Sequence, residues 1–309
     1  MKTVFMGTPE FSATILDYLY KSSHTVELVI TQPDRARDRG KKIQVTPVKE
    51  LAAGHGTPIM QPERLGGDEK VMDRLKDIAP DIIIVAAYGQ ILPQEVLTLP
   101  RFGCINVHAS LLPKLRGASP IQRAIADGEE KTGVTIMQMA RGLDTGDIIS
   151  QEEISIGRMN SGSLHDALAQ AGGRLLIQTL RSIEDGTAVS VPQDESKATY
   201  AGLISKKDGK LDFSRRPEEI ERLIRAYDPW PGAFCSYKGQ TVKIWKAHPE
   251  DRNIDKPSGT VVGVSPEGIK ISCGGKILVI EELQVPGKKR MKVSEYIKGH
   301  DVPEGTMFE

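Results

Sequence analysis

Aromatic residues are scarce in this 309-residue chain: Phe, Tyr and Trp make up 5% of it, and Trp occurs 2 times. That is thin material for a protein that holds single-stranded nucleic acid by stacking bases on rings. Cysteine is scarcer still. Cys104, Cys235 and Cys273 are scattered, none sits in a Cys-x-x-Cys pair, and they build no disulfide framework. No two His residues have the helical spacing of metal ligands, so no bound metal is expected. The reading is reduced, mostly buried thiols in a cytoplasmic protein. No run of about 18 apolar residues offers a membrane-crossing helix. An apolar strand starts at Val4, so no leader peptide is expected.

Charge of one sign is lacking as well. Lys and Arg number 41 and Asp and Glu number 41, which argues against a generally basic nucleic-acid coat. The distribution is uneven, however. Residues 33–50 carry Arg35, Arg37, Arg39, Lys41, Lys42 and Lys49 against Asp34, Asp38 and Glu50, and a second cluster runs through Lys288, Lys289, Arg290 and Lys292. Each is either a solvated loop or a local phosphate-binding surface. Three motifs are missing too. No Gly-x-Gly-x-x-Gly follows the first strand, which disfavours a dinucleotide cofactor. Neither a phosphate-binding Walker loop nor a Gly-x-Ser-x-Gly elbow occurs, which disfavours nucleotide hydrolysis and serine-ester chemistry.

What is present alternates. Val4 to Met6, Val26 to Thr31, Asp81 to Ala87 and residues 103–108 are nearly continuous apolar strands, the kind that helices cover on both faces. Phe11 to Tyr20 has Ile15, Leu16 and Leu19 on one helical face. Val134 to Met139 and Ile148 to Ile154 alternate more, as a mixed sheet edge would. Residues 161–184 form a long helix, capped by Ser161 or Ser163 and ended by Gly186. The sum over residues 1–187 is an α/β domain with a doubly wound, mostly parallel, Rossmann-like sheet. Residues 188–208 are polar and without period, a linker. In residues 209–309 a short helix begins at Pro217. The strands 233–238, 241–247, 259–264, 268–273 and 276–284 follow, and five short strands separated by Gly or Pro turns suggest a small OB-like β-barrel.

The stretch CINVHASLLPKLRGASP, residues 104–120, carries the chemistry. Asn106 and His108 stand two apart where a buried strand ends, so their side chains share one face about 7 Å apart. The carboxyl end of a central parallel strand opens into the crevice where such sheets bind ligands. An amide can donate to a developing oxyanion, and an imidazole can do the same or pass a proton to a leaving group. The competing reading is a turn-capping Asn and a satisfied, half-buried His. A second loop, Arg141 to Asp147 (RGLDTGD), favours chemistry, because Asp144 in a Gly-bracketed turn can reach His108 if the loops converge. Asp144 as an ordinary turn residue is the alternative. Together the three suit attack on a carbonyl by an external nucleophile, without a covalent enzyme intermediate.

INVHASLLPKLRGASPIQRAI with GLDTGDI resembles the folate-dependent formyltransferase family, in which an Asn, a His and an Asp transfer the formyl group of 10-formyltetrahydrofolate to an amine. Asn106, His108 and Asp144 match those three residues. GTPEFS and AAYGQILP extend the resemblance over most of the chain. TQPDRARDRGKKIQVTPVKELA (31–52) is similar to the basic inserted loop of the members that act on charged initiator tRNA, and RAYDPWPGAF (225–234) to the start of their C-terminal domain. Inside the loop, Ala36-Arg37-Asp38 departs from the usual Pro-Ala-Gly-like run and adds one charge of each sign.

The resemblance implies that Ala87, Tyr88, Gly89, Ile91, Ser110, Leu111, Leu112 and Pro113 shape a pterin pocket. It implies that Arg35, Arg37, Arg39, Lys41 and Lys42 meet the tRNA acceptor end. Lys206, Lys207, Lys288, Lys289 and Arg290 would track phosphates farther along. Arg116 has two readings, ordering the Leu-Pro loop or meeting a phosphate. The expected partners are folate as co-substrate and charged initiator tRNA, with no metal and a monomeric chain. Two alternatives remain: a formyltransferase for a small amine, such as a nucleotide sugar or glycinamide ribonucleotide, and a non-catalytic RNA-binding protein.

Overall fold

The computed structural model describes residues 1–37 and 42–309. In chain order its elements are β1 (Lys2–Gly7), α1 (Glu10–Tyr20), β2 (Thr25–Ile30), β3 (Arg35–Arg37), β4 (Lys42–Gln44), α2 (Pro47–Gly54), β5 (Ile59–Met60), α3 (Glu69–Ile78), β6 (Ile82–Ala86), α4 (Gln94–Thr98), β7 (Cys104–His108), β8 (Arg116–Gly117) and α5 (Pro120–Asp127). Then come β9 (Lys131–Gln138), β10 (Ile148–Ser155), α6 (Ser161–Glu184), β11 (Tyr200–Ala201), α7 (Pro217–Ala226), β12 (Ala233–Tyr237), β13 (Gln240–Glu250), β14 (Val261–Ser265), β15 (Gly268–Cys273), β16 (Lys276–Gln284), β17 (Met291–Lys292) and α8 (Val293–Tyr296). They divide into two compact units. One comprises Met1–Gly117, Thr132–Ser155 and His165–Tyr200; the other comprises Ala118–Lys131, Ile156–Leu164 and Ala201–Glu309.

The first unit is built on a seven-stranded sheet in the order β10-β9-β7-β6-β1-β2-β5. The chain steps outward from β1 through β2 to β5, then crosses to the other side of β1 for β6 and β7. All pairings from β5 to β7 are parallel, and β9 joins β7 antiparallel. Strands β6 and β7 are buried along their whole length, which is why their sequences read as unbroken apolar runs. By contrast β10 alternates half-buried and exposed residues, as a sheet edge does. A core of Val4, Met6, Leu28, Ile30, Ile83 and Val85 against Val71, Leu75 and Ile78 fixes α3 on one face.

Helix α3 is absent from the sequence reading although its signal is legible: Asp68 accepts from the Val71 N–H as N-cap, and Val71, Met72, Leu75 and Ile78 make one apolar stripe. Helices α2 and α5 and strand β5 are also additions. They are eight residues or shorter, too brief for a period to stand out. The cap of α6 requires a correction. Neither Ser161 nor Ser163 caps it; the Asn160 side chain accepts from the Ser163 N–H at 2.9 Å. The polar stretch from 188 is more ordered than a free linker. Val191 and Ile148 exchange two backbone hydrogen bonds of 2.8 Å, and Glu195–Lys197 form a 3-10 turn.

In the second unit an antiparallel sheet runs β12-β13-β16-β15-β14, with β17 paired to β16. Its core combines Ile244, Ile269, Ile271, Leu278, Ile280 and Leu283 with Ile220 and Ile224 of α7. The five expected strands are all there. The C-terminal residues touch both edge strands: Ser236 of β12 and Glu309 bond each other's backbone, and the Val261 N–H of β14 donates to Thr306 at 2.8 Å. Among the described residues, no helix is long and apolar enough to cross a membrane.

The cysteines are free and buried, Cys104 and Cys235 at 1% exposure and Cys273 at 0%. Burial pushes each thiol up to about 12. Thiolate, the reactive form, is therefore nearly absent at pH 8. The expected result with a chromogenic disulfide reagent is a negligible fast reaction on the native protein and 3 equivalents after unfolding in guanidinium. A stoichiometric native reaction would show that these sites open.

Candidate active site

Every residue of the candidate site belongs to the first unit. Strand β7 carries Asn106 and His108 at its carboxyl end, 8% and 6% exposed. Asn106 stands opposite Val85 of β6 on one side and Met137 of β9 on the other; His108 stands opposite Thr135. The sheet thus fixes the Asn106 backbone from two sides and that of His108 from β9, and the side chains share the face that the two-residue period requires.

Each ring nitrogen of His108 faces an oxygen. Its Nε2 lies 3.1 Å from the Leu115 carbonyl, which can only accept, so Nε2 carries the hydrogen. Its Nδ1 lies 3.7 Å from Oδ2 of Asp144, with the two side chains 7% and 14% exposed. The expected convergence of the two loops therefore occurs. Oδ2 of Asp144 also accepts from the Gly117 N–H at 2.8 Å, which ties the carboxylate to the chain just beyond the His108 loop.

Backbone strain accompanies these contacts. Five described non-glycine residues have left-handed φ, and three are here: Ala87 (42°), Leu115 (59°) and Asp144 (51°). Such conformations cost on the order of 1–3 kcal/mol and persist where surrounding contacts impose them. Leu115 is imposed upon by Thr199, whose hydroxyl accepts its N–H at 2.9 Å. Gly146, two residues beyond Asp144, passes so close to the Gln138 carbonyl that a Cβ would overlap that oxygen. Gly146→Ala must therefore move the Asp144 loop. A displacement of about 1 Å can cost 10²-fold in rate, and we expect a loss of that order with β1 to β7 still folded. Unchanged turnover would mean the loop position is not critical.

The sequence-predicted pterin residues divide. Ala87, Gly89 and Ile91 are exposed, Ile91 at 89%, while the Tyr88 ring is in the core at 2% with its hydroxyl unpaired. Burial pushes that hydroxyl up to about 12. Ser110 and Leu112 are buried, and Leu111 and Pro113 half-buried. Thr135, which the sequence did not single out, organises this loop: its hydroxyl donates to Ser110 O at 2.6 Å and accepts from Leu112 N at 3.1 Å and Gln151 Nε2 at 2.8 Å.

Arg116 resolves in favour of order. It is 0% exposed; Nη1 and Nη2 donate to the Glu195 carboxylate at 2.9 and 2.8 Å, and Nε and Nη2 reach Oε1 of Gln193. A guanidinium so occupied has no fork to offer a phosphate. Its hydrogen bonds to Glu195 hold the arginine above its usual range and that carboxyl below its own. Gln193 and Glu195 were invisible in the sequence because nothing local marks them.

Among the basic residues, Arg39 and Lys41 lie outside the described residues. Arg37 and Lys42 pair in the β3–β4 hairpin, and Arg35 is exposed. The hairpin's base is pinned by the Asp34–Lys49 ion pair and by the Thr31–Thr46 hydroxyl pair at 2.9 Å. In the second unit Lys206, Lys207, Lys288 and Lys289 are exposed. Arg290 is already engaged by Glu282 at 2.6 Å and Asp228 at 3.2 Å.

Residues 1–180 match the model of the family described as formyl transferase, and residues 203–301 match that of the formyl transferase C-terminal domain. The chain belongs to the formyltransferase family. Among relatives of this formyltransferase, the methionyl-tRNA formyltransferase of Clostridium novyi (strain NT) is 48% identical over 303 residues, covering 98% of each chain. That of Clostridioides difficile (strain 630) is 45% identical over 309 residues, covering 100% of both. In fold, the formyltransferase is similar to an N-formyltransferase from Helicobacter canadensis solved with folinic acid and dTDP-3-aminofucose. The TM-score is 0.68 at 20% identity, over 91% of this chain and 98% of that one.

Proposed function

We propose that this formyltransferase moves the formyl group of 10-formyltetrahydrofolate onto the α-amine of methionine esterified to initiator tRNA, giving N-formylmethionyl-tRNA for translation initiation. The observation that carries the reading is the convergence of Asn106, His108 and Asp144 at the end of β7. The full-length similarity to methionyl-tRNA formyltransferases supports it and selects the acceptor.

An α-amine titrates near 7.7–8.0, so a large share is neutral at physiological pH and can attack the formyl carbon with little help. The attack converts the formyl oxygen to an oxyanion. Asn106 and His108 are assigned to donate to it. For His108 this means exchanging the Leu115 carbonyl for the substrate oxygen, a tightening that often waits for the complex. Asp144 orients the imidazole. Collapse breaks the bond to the folate N10, which takes up a proton as the amine gives one up. Metal is assigned no part, and His/Cys/Asp/Glu groups that could hold one are absent among the described residues.

The folate is assigned to the loops 87–91 and 110–113. The tRNA is assigned to the basic segment 33–50 with Arg35, Arg37, Arg39, Lys41 and Lys42, and to Lys206, Lys207, Lys288 and Lys289. Arg290 is a weaker candidate, since its charge is matched in place. We read residues 1–187 as the catalytic domain on a doubly wound sheet, 188–208 as its connection, and 209–309 as an OB-like tRNA-binding domain. The bonds from residues 306–309 to both edge strands, β12 and β14, support closure into a barrel. The chain is taken as a cytoplasmic monomer.

The experiment is formyl transfer to charged initiator tRNA beside free methionine and a nucleotide-sugar amine. Transfer to the charged tRNA alone, weakening steeply with salt because phosphate contacts release counterions, is the expected result. Transfer to the small amine would keep the chemistry and discard the tRNA.

A further inference from the structure

Residues 191–199 fall between the two stretches matched to formyltransferase models, which end at 180 and begin at 203. They are nonetheless built into the site. Val191 bridges Ile148, Glu195 closes on Arg116, and Thr199 takes the N–H of Leu115, the residue whose carbonyl holds His108. Gln193 is the centre of this segment. Its amide nitrogen donates to the Asp144 carbonyl at 2.8 Å and to the Gly146 carbonyl at 2.7 Å. Its amide oxygen accepts from Arg116 Nε at 3.2 Å and Nη2 at 2.8 Å. Both donors of a primary amide are thereby used, and its oxygen faces a buried cation.

The Asp144 loop needs such a hold from outside. Asp144 has left-handed φ, Gly142 and Gly146 flank it, and a loop of that composition has many conformations open to it. Two anchors remove that freedom. The Gly117 N–H fixes the carboxylate, and Gln193 fixes the backbone of the same residue. The anchors are themselves joined, because Arg116, adjacent to Gly117, is bound by the oxygen of the same Gln193 side chain.

We infer that Gln193 is a positioning residue for formyl transfer: by joining Arg116 to the backbone of residues 144 and 146, it sets where the Asp144 carboxylate stands against His108. The inference rests on the catalytic reading of Asp144 given above. Gln193 touches no substrate in this scheme and acts through Asp144 alone. It follows that its removal costs turnover rather than binding, and costs nothing once Asp144 is gone.

The test is a double-mutant cycle of Gln193→Ala with Asp144→Ala, measuring kcat and both KM values. Gln193→Glu runs alongside: it keeps the acceptor for Arg116 and loses both donors, so the fold keeps its buried pair. In the otherwise native enzyme either Gln193 change is expected to lower kcat by on the order of 10²-fold, with KM values within about two-fold and the thermal transition retained. In the Asp144→Ala enzyme the same changes are expected to do nothing further. If Gln193→Ala does not fold, the cycle with Gln193→Glu decides. Equal losses in both backgrounds, a loss confined to KM, or no loss at all each overturn the inference. An Asp144→Ala enzyme with full turnover overturns the reading beneath it and takes the inference down as well, an outcome separable from the others because it needs no Gln193 variant.

Discussion

Asp144→Asn lowers kcat by on the order of 10⁴, the typical loss when the carboxylate orienting a catalytic imidazole becomes an amide, and it leaves the protein's thermal stability close to native. One oxygen of this side chain has two roles. Its Oδ2 accepts the Gly117 N–H at 2.8 Å, a contact that the amide oxygen of Asn can keep. The same oxygen faces Nδ1 of His108 at 3.7 Å, and there the amide oxygen brings no charge. Asp144→Ala removes both roles. It is expected to lose comparable activity and, in addition, about 1–3 kcal/mol of stability from an orphaned N–H beside a largely buried site. Steady-state kinetics with charged initiator tRNA and a thermal melt of each variant give the comparison. An Asn variant with near-native turnover would falsify the role of the charge.

Asn106→Ala and His108→Ala each reduce kcat by at least on the order of 10² to 10³, the usual effect of deleting a donor to an oxyanion. Both residues sit at the end of a strand paired on both sides, so the surrounding sheet is expected to survive each change. Residues serving one oxyanion act as a unit, and the double variant is expected to lose much less than the product of the single losses. A multiplicative result would assign the two residues to separate steps. Single-turnover measurements are the appropriate check, since they isolate transfer from release.

Much of this was legible in the chain. The parallel-rich sheet, the long helix α6 and the five C-terminal strands follow from apolar period and length, which are local properties. The triad candidates follow from polar residues placed where an apolar strand should continue, and from the resemblance that those residues carry. Helices α2, α3 and α5 were not read, because short amphipathic segments give few repeats to recognise, and α6 took its cap from Asn160 rather than from a serine.

What the sequence determined by itself is therefore the strand that ends in Asn106 and His108, the loop with Asp144, and the family they belong to. Only the tertiary structure decided that the loop and the strand meet, that Leu115 and Asp144 are held in left-handed backbone, and that Arg116 is spent inside the protein. It also turned the polar stretch around Gln193 from a connector into part of the site. The reason is physical. Strand and helix are written in side-chain period over a few neighbours, whereas a loop's position is set by hydrogen bonds between residues 27 to 84 apart, which leave no local pattern behind.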